Sequence, residues 1–65
     1  MNNYVDLLVP PVYPGPHRRY EPLEWAKENC PSYITNDAVQ IGGRYYYRFF
    51  FGNERDRMWF ALRWL

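Results

Sequence analysis

The chain has 65 residues, eight Lys or Arg against seven Asp or Glu, one His, one Cys, and an aromatic set of 3 Trp, 7 Tyr and 4 Phe. One Cys excludes an internal disulfide framework, Cys30 with His17 falls short of a four-ligand zinc pattern, and no apolar stretch approaches the roughly 18 residues of a membrane helix. A single domain over 1–65 buries only about 60% of its unfolded surface, so bulky aromatic side chains have to supply what a disulfide or metal supplies elsewhere. The first residues lack a basic region followed by an apolar core, so no signal peptide is expected and the chain reads as a cytoplasmic protein without membrane contact.

The β-formers Tyr4, Val5 and Val9 around Leu7 and Leu8 predict a strand over 3–9, stopped by Pro10 and Pro11. Residues 10–20 hold four of the six prolines and Gly15, which predicts an extended Pro-rich loop. Pro22 opens a helix over 22–30 that Pro31 ends, with Leu23, Ala26 and Cys30 on one stripe, Trp25 off it, and Glu24, Lys27 and Glu28 in water. Residues 32–51 are two β-rich runs around Gly42 and Gly43, a hairpin. A two-residue turn would put Val39 and Ile41 on the face of Arg44, Tyr46 and Arg48. A three-residue loop with Gly43 in a bulge separates apolar from charged, grouping Val39 with Tyr45, Tyr47, Phe49 and Phe51, and is preferred on that ground. It leaves Asp37 on the apolar face, as part of an Asn36-Asp37 bend. Gly52 ends the last strand. Asn53 caps a helix over 54–65, with Asp56 as a short capping-box acid, Met58, Ala61, Leu62 and Leu65 as the core stripe, and Trp59, Phe60 and Trp64 as surplus apolar surface. The order predicts an α+β fold: a ferredoxin-like split βαββα unit, ending before a fourth strand, with a three-stranded antiparallel or mixed sheet and two helices on one face.

The chemistry these residues offer is recognition. Cys30 on a buried stripe at a helix end is a poor thiolate, and His17 sits in the Pro-rich loop, so no nucleophilic pair forms. Glu24 with Glu28 and Glu54 with Asp56 have the spacings of solvation and capping. No Gly-rich loop opens a helix to cradle a phosphate. No enzyme activity, cofactor or metal is therefore expected. Two surfaces remain. Trp59, Phe60, Arg63 and Trp64 combine the residue types that dominate protein interfaces, and Arg63 falls at i+4 from Trp59, where its guanidinium would lie on the indole. Arg44, Tyr46, Arg48 and Phe50 alternate along one strand face, as single-stranded nucleic acid requires: rings stack on bases and guanidinium groups meet phosphates. The excess of Arg over Lys suits planar or bidentate contacts, and an uncapped sheet edge favours a homodimer.

The segment 44–56, R-Y-Y-Y-R-F-F-F-G-N-E-R-D, resembles the third strand of the RNA-recognition motif and the acidic start of its second helix. That resemblance implies basic and stacking roles for Arg44 and Tyr46. Tyr45 and Tyr47 stand where that family has small residues, and Arg48 where it has a second stacking aromatic. The segments E-W-A-K-E-N-C at 24–30 and F-F-G-N-E-R-D-R-M-W-F-A-L-R-W at 50–64 resemble short accessory proteins of tailed bacteriophages. This second resemblance implies a host-directed binding role, and with the aromatic helix face it gives the expected function: a small non-catalytic module that inhibits or redirects a host or viral protein by occluding its surface, in the host cytoplasm. Single-stranded RNA or DNA binding is the alternative, and a self-associating virion component is the third reading.

Overall fold

A computed structural model describes residues 3–9 and 20–65. The Pro-rich segment expected over 10–20 lies outside the described residues except for Tyr20, and His17 lies outside them. Five elements follow in order: β1 (Asn3–Leu8), α1 (Glu21–Asn29), β2 (Tyr33–Ile41), β3 (Arg44–Phe51) and α2 (Glu54–Trp64). β3 lies between β1 and β2 and runs antiparallel to both, so β1 and β2 are parallel strands split by a third, the expected split β-α-β arrangement.

Strand alternation distributes the side chains. Val5 opposes Phe49 and Tyr33 opposes Phe51, and with Leu7 and Tyr47 these face the two helices. Tyr4, Asp6 and Leu8 oppose Phe50, Arg48 and Tyr46 on the other side of the sheet. The core is Val5, Ala26, Cys30, Phe49, Phe51 and Phe60, with Phe49 and Phe60 fully buried and their ring centroids 4.7 Å apart. Burying one such ring contributes about 1.5–3 kcal/mol, which is how so short a chain holds a core without a staple.

The hairpin does not take the three-residue loop. Ile41 pairs with Arg44, and the two residues between, Gly42 and Gly43, have φ of +58° and +80°. Two consecutive positive φ values make a type I′ turn, whose twist matches that of the strands it joins, and tandem glycine adopts it without Cβ strain. Val39 and Ile41 therefore share the outer face with Arg44, Tyr46 and Arg48. The separation of apolar from charged faces fails as a criterion here because the tip carries little core: Tyr45 is 59% exposed. Asp37 lies within β2 opposite Arg48 and does not end the strand. A register shift between Tyr33 and Thr35 leaves Ile34 unpaired and exposed, and it brings Tyr33 onto the helix face, 6.1 Å from the Phe51 ring.

Of the core stripe expected for α2, only Ala61 packs against the core. Met58, Leu62 and Leu65 are 50%, 83% and 75% exposed, while Asp56 and Phe60 are buried and Trp64 is half-buried. Asp56, Phe60 and Trp64 fall at i, i+4 and i+8, one face of the helix. An aromatic ring removes more apolar area from water than Met or Leu, and on the inner side the Asp56 carboxylate accepts a hydrogen bond from the Ser32 amide, so the helix turns that face to the sheet.

Candidate functional site

Asp56 fixes the rotation of α2. The side chain of Asn53 accepts from the Asp56 amide at 2.8 Å, capping the helix, while the Asp56 carboxylate accepts from the Ser32 amide at 2.9 Å. The acid is thus not a capping-box partner but a pin between α2 and the turn that follows α1. Ser32, through its adjacent hydroxyl and its amide, holds the Asp56 carboxyl below the usual carboxylate range, overriding the opposite push from burial. Gly52 donates to the Ser32 carbonyl at 2.7 Å, and a Cβ there would meet the Ser32 Cβ at 3.2 Å. Cys30 lies beneath this junction, its Sγ 3.9 Å from the Asp56 carbonyl oxygen, and burial followed by the Asp56 charge pushes its thiol up.

With Phe60 inward, the opposite face of α2 points to water. Arg55, Met58, Trp59 and Leu62 line a shallow groove of about 540 Å³ on that face. The outward side of α1 shows the usual alternative, with Glu21, Glu24 and Glu28 toward solvent. α2 differs: its outward face sets Met58, Trp59 and Leu62 beside the charged Glu54 and Arg55.

The four residues expected to form one surface separate into different roles. Phe60 is fully buried and withdrawn from any partner, because its ring is the centre of the core. Trp59 remains 43% exposed at the rim of the outward groove, its ring 5.8 Å from Trp25 and perpendicular to it. Trp64 is half-buried, 6.5 Å from Trp25. Arg63 stacks on Trp64 at 4.4 Å and not on Trp59. The missed residues are Met58, Leu62 and Leu65, assigned to the core because a helix apolar on both sides has two candidate stripes. The signal that separates them is Asp56, four residues before Phe60 and fixed to the inner side.

The strand face keeps its alternation but not its free charges. Arg48 donates from Nε at 2.8 Å and from Nη2 at 3.0 Å to the two carboxylate oxygens of Asp6, and its guanidinium carbon lies 4.2 Å from the centre of the Tyr4 ring. The Asp6 hydrogen bond raises the Arg48 pKa above its usual value. Bidentate pairing and stacking both occupy the fork that a phosphate would use. Arg44 is exposed, and Tyr46 and Phe50 are half-buried on the same face. Among the described residues, no three His, Cys, Asp or Glu side chains converge as metal ligands, and no helix is long and apolar enough to cross a membrane.

Compared with protein-family models, curated proteins and solved structures, the chain matches none.

Proposed function

We propose that this chain is a small non-catalytic protein-binding module that takes its partner on the outward face of α2. The observation that carries the reading is the exposure of Met58, Leu62 and Leu65 beside Trp59 and Arg55, on a helix whose other side is already filled by the core. An apolar row flanked by Trp and Arg has the composition of an interface centre, and uncovered it is an aggregation hazard. The resemblance of segments 24–30 and 50–64 to tailed-phage accessory proteins supports a host or viral protein as the partner and occlusion in the host cytoplasm as the mode of action. Nucleic-acid binding through Arg44, Tyr46 and Phe50 is the weaker reading because Arg48 is engaged by Asp6 and Tyr4.

A photo-crosslinking residue at position 62, with one at position 34 as an exposed control, tests the assignment in host cells. The expected result is a discrete protein adduct from position 62, lost on Met58→Ser, and reconstituted with the purified partner. Equal adducts from positions 62 and 34, or an adduct from 62 that survives Met58→Ser, would refute it.

A further inference from the structure

The described residues give β1 a neighbour on one side only. The Val9 amide donates to the Tyr45 carbonyl at 3.0 Å, which sets the phase of the antiparallel ladder: odd residues of β1 bond to β3. The backbone donors and acceptors of Tyr4, Asp6 and Leu8 therefore point outward along the edge. Edge strands are normally defended by an unpaired charge or by proline. The one charge in β1 is Asp6, and its carboxylate is turned back onto Arg48 of β3.

The strand is also symmetric about that residue. Tyr4-Val5-Asp6-Leu7-Leu8 reads large apolar, apolar, acid, apolar, large apolar in either direction. Laid antiparallel on itself with Asp6 at the centre, it sets Tyr4 opposite the partner's Leu8 and Val5 opposite the partner's Leu7, with each Asp6 held by the Arg48 of its own chain. Tyr4 and Leu8 are 39% and 48% exposed in the single chain, so this register covers apolar surface on the open face. Shifting the centre to Val5 pairs Tyr4 with Asp6, and shifting it to Leu7 sets Tyr4 opposite a proline without an N–H. Only the register at Asp6 matches like with like.

The helix layer fits the same axis. α2 lies across β1 and β3, and Trp59 turns toward Trp25 of α1, so the opposite flank of α2, with Arg57, Ala61 and Leu65, lies on the β1 side. A strand spacing of about 4.8 Å places two copies of α2 about 10 Å apart across the axis, the distance at which helices pack, and Ala61 is small enough to permit it.

We infer that the protein forms a two-fold dimer in which β1 pairs antiparallel with β1 of a second copy, centred on Asp6, merging the two sheets into one. The dimer leaves the groove of the proposed partner surface free, since Arg55, Met58, Trp59 and Leu62 stay outward and are displayed twice, and it takes only Leu65 from that surface into the seam. Light scattering of the full chain, without any partner, is expected to give twice the 8.0 kDa of one chain. Tyr4→Cys and Leu8→Cys chains, each retaining the buried Cys30, then test the register: mild oxidation of an equal mixture is expected to link one to the other, while either alone stays largely unlinked. A single-chain mass across the micromolar to millimolar range overturns the inference. So does a dimer whose mixture fails to link, or links no better than either variant alone.

Discussion

Two alanine substitutions two residues apart in α2 separate the inward from the outward face. Phe60 is fully enclosed, with the rings of Phe49, Phe51 and Trp25 at 4.7, 5.3 and 6.1 Å, so Phe60→Ala removes the transfer energy of a ring and leaves a cavity between helix and sheet. Such a change costs about 3–5 kcal/mol. A domain of this length holds about 3–10 kcal/mol in total, at about 0.05–0.15 kcal/mol per residue, so the variant is expected to lose a large share of its stability, and all of it at the lower end of that range. Phe60→Leu retains most of the volume and gives a graded loss of about 1–2 kcal/mol. Leu62 is 83% exposed, and Leu62→Ala should stay within about 0.5 kcal/mol of the parent. Urea unfolding followed by circular dichroism resolves these differences, and thermal midpoints should shift by about 4–8 °C per kcal/mol. Leu62→Ala costing more than Phe60→Leu would mean that α2 is turned by half a revolution and that the outward groove does not exist.

The Asp56 carboxyl titrates below its unfolded value, so its contribution is present above about pH 4 and is lost as pH falls through the folded pKa. Asp56→Ala leaves the Ser32 amide unpaired and should cost about 1–3 kcal/mol at pH 7; the gap to the parent should narrow below about pH 4, and a constant gap down to pH 2 would refute the pin. At Gly42, φ is +58° with open space around the Cβ position. Gly42→Asn should be neutral or stabilising by up to about 1 kcal/mol and Gly42→Val should lose about 1–2 kcal/mol, read as midpoint shifts; equal values would argue against the type I′ turn. Cys30 is 2% exposed with a raised pKa. Alkylation by iodoacetamide at pH 7.5 should therefore follow global unfolding and accelerate with urea, whereas rapid labelling in buffer would mean that the junction under Asp56 opens locally.

What the residues announced was element order. Pro22 and Pro31 bound α1, Asn53 caps α2, and the strand runs around Gly42 and Gly43 give the hairpin, all local signals that tertiary packing does not override. What stayed hidden was the choice of face. Periodicity compares stripes by hydrophobicity, and α2 carries two: Met58, Leu62 and Leu65, against Phe60 and Trp64. Choosing between them needs the partner of Asp56, a backbone amide 24 residues earlier that no periodicity contains. The hairpin register failed likewise. Segregating faces assumes that both faces extend to the tip, whereas the helices cover only the part nearer Phe49 and Phe51.

An alternation of Arg and aromatic residues along a strand suggests nucleic acid when the guanidinium groups are unclaimed, and sequence alone cannot show that. Here Arg48 has Asp6 across the ladder on one side and Asp37 across it on the other, with Tyr4 beneath its guanidinium. The outer face is thus organised around internal charge neutralisation, which lets three twisted strands keep half-buried polar groups in register without a second helix layer. By contrast, the outward face of α2 has no internal partner for Met58, Leu62 or Leu65. A chain with few residues to spare places these three in water at a solubility cost that folding does not return, and that cost is what supports reading them as a contact surface.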